Sequence, residues 1–444
     1  MHSAISLHVL MGALARFALA VVLIAGSTMI DTAVAGLFVS NWAYVPPPDP
    51  GPRPLAGIRS RLVHVDTGEV ANHIAPIGGS AADRLARAGQ LDGVITIELF
   101  PDVIETFRRT NVEGAGQTSI GWSGNVGGSP IHAATLIVNN SGQITGSVQL
   151  GALYFVIEPV AGTLHRVSEI DRDAYPAHED DFTVAPPSEN PPEIGPQAAV
   201  TPTPTVITVL AAYTPAALRQ SPNVVNLIQL AIAGANTAYR GTQIPIQLRL
   251  VATMSTGSYN EGPDTFAQWT KVLDQVTGLS TPIVLGNVRL RRNQVKADLV
   301  FLVVRNSTVA CGLGWVVENP SAATSNYGFS VQAVGCLAGN IVLPHEFGHN
   351  MGLRHDRLTE GGTWPNIKYN FGYVNKAARK IDLMAYTEAC TRQGIPNCIY
   401  VPWFSTSQYK VNNTAVLGIA RGQPGAADAT RRLREVRAGV AAYR

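Results

Sequence analysis

"HEFGHNMGLRHD", residues 345–356, places three histidines, a glutamate and an aspartate within twelve positions. His345 and His349 are four apart in "NIVLPHEFGHNMG", which reads as a helix, so both imidazoles fall on one face, one turn apart. Neutral imidazole suits Zn²⁺, and a catalytic zinc takes three protein ligands and keeps one position for water. A third ligand cannot follow along the same helix at that spacing and still converge. Gly352 supplies the way round, because glycine accepts the left-handed backbone that ends a helix, and His355 then reaches the open side. Glu346 projects beside the ligand face, where it can accept a proton from water and pass it to a leaving amine. The bland alternative is a surface helix with satisfied histidines. A bare H-E-x-x-H arises by chance, but the extended H-E-x-x-H-x-x-G-x-x-H form is far more restrictive.

Outward from this stretch the chain divides. Residues 36–57 are irregular and proline-rich ("VPPPDPGPRP"), and from about residue 58 to 182 the text is strand-like. "VITIELFP", "ATLIVNN", "GQITGSVQL" and "LYFVIEPV" are short apolar runs between Gly, Asn and Ser turns. They predict a small β-rich domain over 36–184. "APPSENPPEIGPQAAVTPTPT", residues 185–205, is too proline-dense for a helix or a central strand and reads as an extended, protease-accessible linker.

After the linker, strands and helices alternate over 206–444. "VITVLAAYT", "IPIQLRLVA" and "ADLVFLVVR" read as strands, the last as a buried central one. "GFSVQAVG" carries more polar positions and reads as a sheet edge. Residues 224–240 and "DTFAQWTKVLDQV" read as helices, the latter capped by Asp264, and "AADATRRLREVRAGVAAY" as a C-terminal helix. The expectation is an α/β (α+β) domain within the usual size range.

Composition narrows the partners. With 46% hydrophobic and 14% charged residues, a large core is available, and a net charge of +2 gives no footing for nucleic acid or a membrane surface. "RFALAVVLIAG" followed by "AVA" at 33–35 reads as a cleaved signal peptide, residues 1–35, with Met11 an alternative start. A membrane anchor is the competing reading, but the apolar run is short for a span. The protein is thus expected outside the cell, as a monomer, with no membrane association once the leader is removed. The four cysteines fit two disulfides there. Their order suggests Cys311–Cys336 and Cys390–Cys398, although sequence alone allows three pairings.

With its motif complete, the chain resembles the metzincin zinc endopeptidases. The resemblance implies a catalytic domain with a mixed twisted sheet, a zinc-binding helix and one catalytic Zn²⁺, and it leaves a structural Ca²⁺ open. It also implies a Met-turn beneath the metal, which Met384 in "IDLMAYT" would supply. Asp356 matches the reprolysin-like (adamalysin-like) group, where it is a buried structural carboxylate. Within that group the chain is similar to bacterial peptidyl-Asp metalloendopeptidases through "VITVLAAYTPAA", "ADLVFLVV", "CGLGWV", "GFSVQAVGC", the zinc helix and "LMAY". The upstream "GWSGNV…ITGSVQLGALYFVIEPV" resembles the prodomain of such enzymes.

Further expectations follow from the family. Tyr386 would stabilise a developing oxyanion, or else be a packed aromatic. A preference for Asp or similar acids after the cut implies a basic pocket, for which Arg379, Lys380 and Arg392 are candidates. "GFSVQAVG" would hold substrate as the edge strand. Protein or peptide substrates, and the prodomain as inhibitor, are the implied partners. Animal reprolysins are held latent by a prodomain cysteine, and no cysteine precedes Cys311 here. "SEIDRDAYPAHEDD" offers Asp171, Asp173, His178 and Glu179 as substitutes, against the plain reading of a solvated acidic turn. "WFSTSQYK" lacks the Asn-Pro that such enzymes often carry. The reading from a different class is a catalytically inactive, secreted binding or adhesion protein on the same fold, but such relatives usually lose the glutamate or a ligand histidine, and all four residues are present.

Overall fold

The computed structural model of the protein describes residues 36–39, 57–176, 182–186 and 203–444. The expected leader, His178, Glu179 and most of the Pro-rich stretch lie outside the described residues. Turns cut the first part into β1 (Gly57–His64), β2 (Val94–Phe100), β3 (Val103–Ala115), β4 (Ser119–Asn125), β5 (His132–Val138), β6 (Ile144–Leu150), β7 (Leu153–Ala161) and β8 (Leu164–Ile170). They form one antiparallel sheet in the order β1-β8-β7-β6-β5-β4-β3-β2. Because side chains alternate across a strand, the sheet has two apolar faces. One gathers Phe107, Trp122, Leu136 and Phe155 into its own core. The other turns Ile137, Tyr154 and Val156 towards the helix α1 (Val224–Gly241) and shares a core with it.

β9 (Phe182–Val184) and β10 (Thr205–Tyr213) lead into the second sheet. Its other members are β11 (Ile246–Ser255), β12 (Leu299–Val304), β13 (Gly312–Val316) and β14 (Phe329–Ala333). The order is β11-β10-β12-β14-β13-β9. Helical crossovers make β10, β11 and β12 parallel, and β14, reached through β13, lies parallel to β12 and antiparallel to β13. β12, "LVFLVV", is buried along its whole length, as its unbroken apolar run predicts.

Two details differ from the sequence reading. "GFSVQAVG" is not the edge. β14 lies between β12 and β13, and its polar residues Ser330 and Gln332 are buried. Beyond β14 comes β13, "GLGWV", and β9 forms the edge by pairing with β13 in parallel, Phe182 to Val184 lying beside Gly314 to Val316. The second concerns a cap. The helix Phe266–Thr277 starts on Thr265, whose hydroxyl accepts from Gln268 N, while Asp264 binds Ser307 and Thr308 across the fold.

The cysteines pair as Cys311–Cys336 and Cys390–Cys398. The first bridge joins the residue before β13 to the 3₁₀ turn Val334–Gly339, just ahead of the helix α2 (Val342–Asn350). Among the described residues no helix is long and apolar enough to cross a membrane.

Candidate metal centre

His345 and His349 lie one turn apart on α2, both buried. The Nδ1 of His345 is 2.7 Å from the Leu383 carbonyl, and that of His349 is 2.9 Å from the Leu353 carbonyl. A carbonyl only accepts, so each Nδ1 carries the proton and each Nε2 its lone pair. The two Nε2 atoms are 3.1 Å apart. Two lone pairs at that distance repel unless a positive charge sits between them. Gly352 ends the helical stretch with φ +83°, and a Cβ there would stand 2.8 Å from the Val317 carbonyl oxygen. The turn carries His355 back, so that one ring nitrogen from each histidine lies within 4.8 Å of the others. Three buried imidazoles, two of them in the Nδ1–H tautomer, fit a divalent metal ion such as zinc.

Glu346 is buried on the side of β13. A Cβ at Gly314 would come within 2.9 Å of its Oε2, and one at Gly312 would collide with Oε1. The strand therefore needs both glycines to let the carboxylate lie against its backbone. Met384 is fully buried beneath α2, its sulfur 2.7 Å from where a Cβ on Gly348 would sit. Asp382 pins this turn, since its Oδ1 accepts from the backbone N–H of both Tyr373 and Met384 at 3.1 Å. Burial pushes the Asp382 carboxyl up to about 7, against the opposing pull of its backbone donors.

The Tyr386 hydroxyl lies 2.7 Å from His355 Nε2, buried against the same cluster. Asp356 faces away from it. One oxygen accepts from Leu358 N and Thr359 N, and the other accepts from the Thr359 hydroxyl, so it caps the short helix Arg357–Glu360. The three basic candidates have separate partners. Arg392 donates to the Thr359 hydroxyl, Lys380 to its own loop at Ala378 O, and Arg379 occupies a left-handed turn at φ +50°. Asp171 accepts from Asp173 N in a local turn, and burial, with Asp171 and Glu388 nearby, raises the pKa of Asp173.

The sequence reading missed Phe182, whose ring centre lies 5.2 Å from that of His349 and 5.0 Å from that of His355. It also missed Glu360, which lies beside His355, and the anchoring role of Asp382. The glycines of "CGLGWV" were the one available signal, as two small residues spaced to share a strand face.

A buried three-histidine cluster with an adjacent glutamate, carried largely by a helix packed against β13 and β14, suits a metal-dependent peptidase. Residues 225–356 match the family described as Metallo-peptidase family M12B Reprolysin-like, and the chain is accordingly a metalloendopeptidase, a hydrolase of peptide bonds. It is 29% identical to the Peptidyl-Asp metalloendopeptidase of Stenotrophomonas maltophilia (strain K279a) over 316 residues, covering 70% of each chain. The protein of that name from Xanthomonas campestris pv. campestris is 28% identical over 320 residues, covering 71% of this chain and 70% of its own.

Proposed function

We propose that the protein is a secreted zinc endopeptidase made as a latent precursor. His345, His349 and His355 hold the ion, and Glu346 is the general base. The convergence of three buried ring nitrogens beside the Glu346 carboxylate carries this reading. A bound zinc supplies Lewis acidity, acidifying water and polarising a carbonyl. Glu346 takes the proton of the attacking water and delivers it to the leaving amine. The Tyr386 hydroxyl donates to the developing oxyanion. β13 offers its main chain to an extended peptide, in place of the strand expected from sequence.

Latency follows from what β9 occupies. It takes the outer edge of β13, and the Phe182 ring packs, tilted, against the rings of His349 and His355. A peptide seeking the same edge has to displace it. In this reading residues 1–35 are the leader, 36–184 the inhibitory segment, 185–205 the linker that is cut, and 206–444 the catalytic domain. A preference for Asp after the cut rests on the similarity to peptidyl-Asp metalloendopeptidases, with Arg379, Lys380 and Arg392 as candidates to receive the carboxylate.

The test is casein hydrolysis with and without a chelator, before and after proteolytic removal of the N-terminal segment. Chelator-sensitive activity that rises on removal supports the proposal. Absence of hydrolysis by zinc-loaded, processed protein would leave a binding protein on a peptidase fold. Cleavage-site profiling on a peptide library decides the acidic preference.

A further inference from the structure

We propose that Glu360 is the positioning residue for the third metal ligand, an inference that rests on reading the three histidines as ligands. The rings of His345 and His349 are each fixed by a backbone carbonyl. His355 lies beyond the helix, on the three-residue strand Arg354–Asp356, and its arrangement is different. The Glu360 Oε1 accepts from the His355 backbone N–H at 3.0 Å and lies 3.4 Å from its Nδ1. The other oxygen, Oε2, accepts from Arg354 at 3.0 Å, and Arg354 in turn reaches Glu318 at 2.8 Å. The Glu360 side chain is only 4% exposed, so its charge is shielded from water and compensated by Arg354.

A carboxylate beside Nδ1–H fixes the ring's rotation and tautomer, and makes the opposite nitrogen a stronger donor. The ligand outside the helix has a charged partner. The short helix Arg357–Glu360 carries Glu360 back to His355, and Asp356 starts that helix by capping it. Asp356 thereby acts on the metal site at one remove, through the residue its cap brings into place.

The experiment measures the zinc dissociation constant of the full chain by competition with a chromophoric chelator. Glu360→Gln keeps the acceptor for the His355 backbone N–H and removes the charge. The expected result is an affinity about 10- to 100-fold weaker than the parent, with the metal-free chain still folded by circular dichroism. Parent-like affinity in Glu360→Gln overturns the proposal, because a merely structural role is preserved in that variant. Should it fail to fold, Glu360→Asp and Glu360→Ala are compared. Tighter binding by the aspartate supports the charge, and equal binding overturns it. A parent chain that binds no zinc would instead remove the ligand reading itself.

Discussion

Phe182 and His355 are brought into contact by the parallel pairing of β9 with β13, their ring centres 5.0 Å apart and their planes tilted by 53°. If this contact helps cover the site, Phe182→Ala should raise the basal hydrolysis of a short fluorogenic peptide by the uncut chain several-fold. On the proposed processing, the same substitution should leave the processed enzyme unchanged, because Phe182 would lie in the segment removed. Unaltered basal activity would show that the ring is packing and not cover.

Glu346→Gln should retain one zinc per chain and lose about 10²- to 10⁴-fold in kcat/KM, the range of a general base. Elemental analysis and a peptide assay on the same sample separate the two effects. His349→Ala is the contrast, with metal itself lost. Activity in Glu346→Gln equal to the parent would remove the assigned base.

Gly314→Ala tests the seating of that carboxylate. Its Cβ would meet the Glu346 Oε2 at 2.9 Å and the Glu346 carbonyl at 3.2 Å. Overpacking of this kind costs about 1–3 kcal/mol. The expected outcome is a kcat reduced at least about tenfold, the range of a displaced base, with zinc content intact. A variant with parental kcat would mean that strand and glutamate separate freely.

The N-terminal sheet carries its own pH dependence in His165. The ring is buried in β8, with Nδ1 2.7 Å from Thr163 O and Nε2 accepting from Ile144 N. Burial lowers its pKa to about 4, outweighing the Thr163 bond. A depressed histidine holds its stabilising contribution above the unfolded value, about 6.5, and loses it as pH falls towards 4. The loss is of order 3 kcal/mol. Hydrogen-exchange protection in β6 and β8, corrected for the intrinsic rate at each pH, should fall across that window in the parent. His165→Gln should flatten the response, and an equal response in both would assign it elsewhere.

Local chemistry was legible in the sequence. The four-residue spacing of His345 and His349, the helix stop at Gly352 and the order of the cysteines all act over short stretches of chain, where residue type dictates geometry. What depended on distant partners was not. Ser330 and Gln332 look like edge residues by polarity, yet β13 covers the strand that holds them. Phe182 carries no mark of its destination, because parallel strand addition has no sequence period of its own. Asp264 has the composition of a cap and instead serves Ser307 and Thr308. Glu360 stands in an unremarkable run, "LTEGG", and gains its meaning only when Asp356 bends the chain.

The Cys311–Cys336 bridge reaches further than its local packing. It fastens the strand that lies along the cleft to the turn from which the histidine-bearing helix departs. Under reducing conditions those two walls lose this covalent tie and keep hydrogen bonds such as Ala333 N to Cys311 O and Val317 N to His349 O. Thiols stay reduced in most cytosols and oxidise beyond them. In a chain exported as proposed, the bridge closes only beyond the cytosol, so the brace and the peptidase reach the same compartment together.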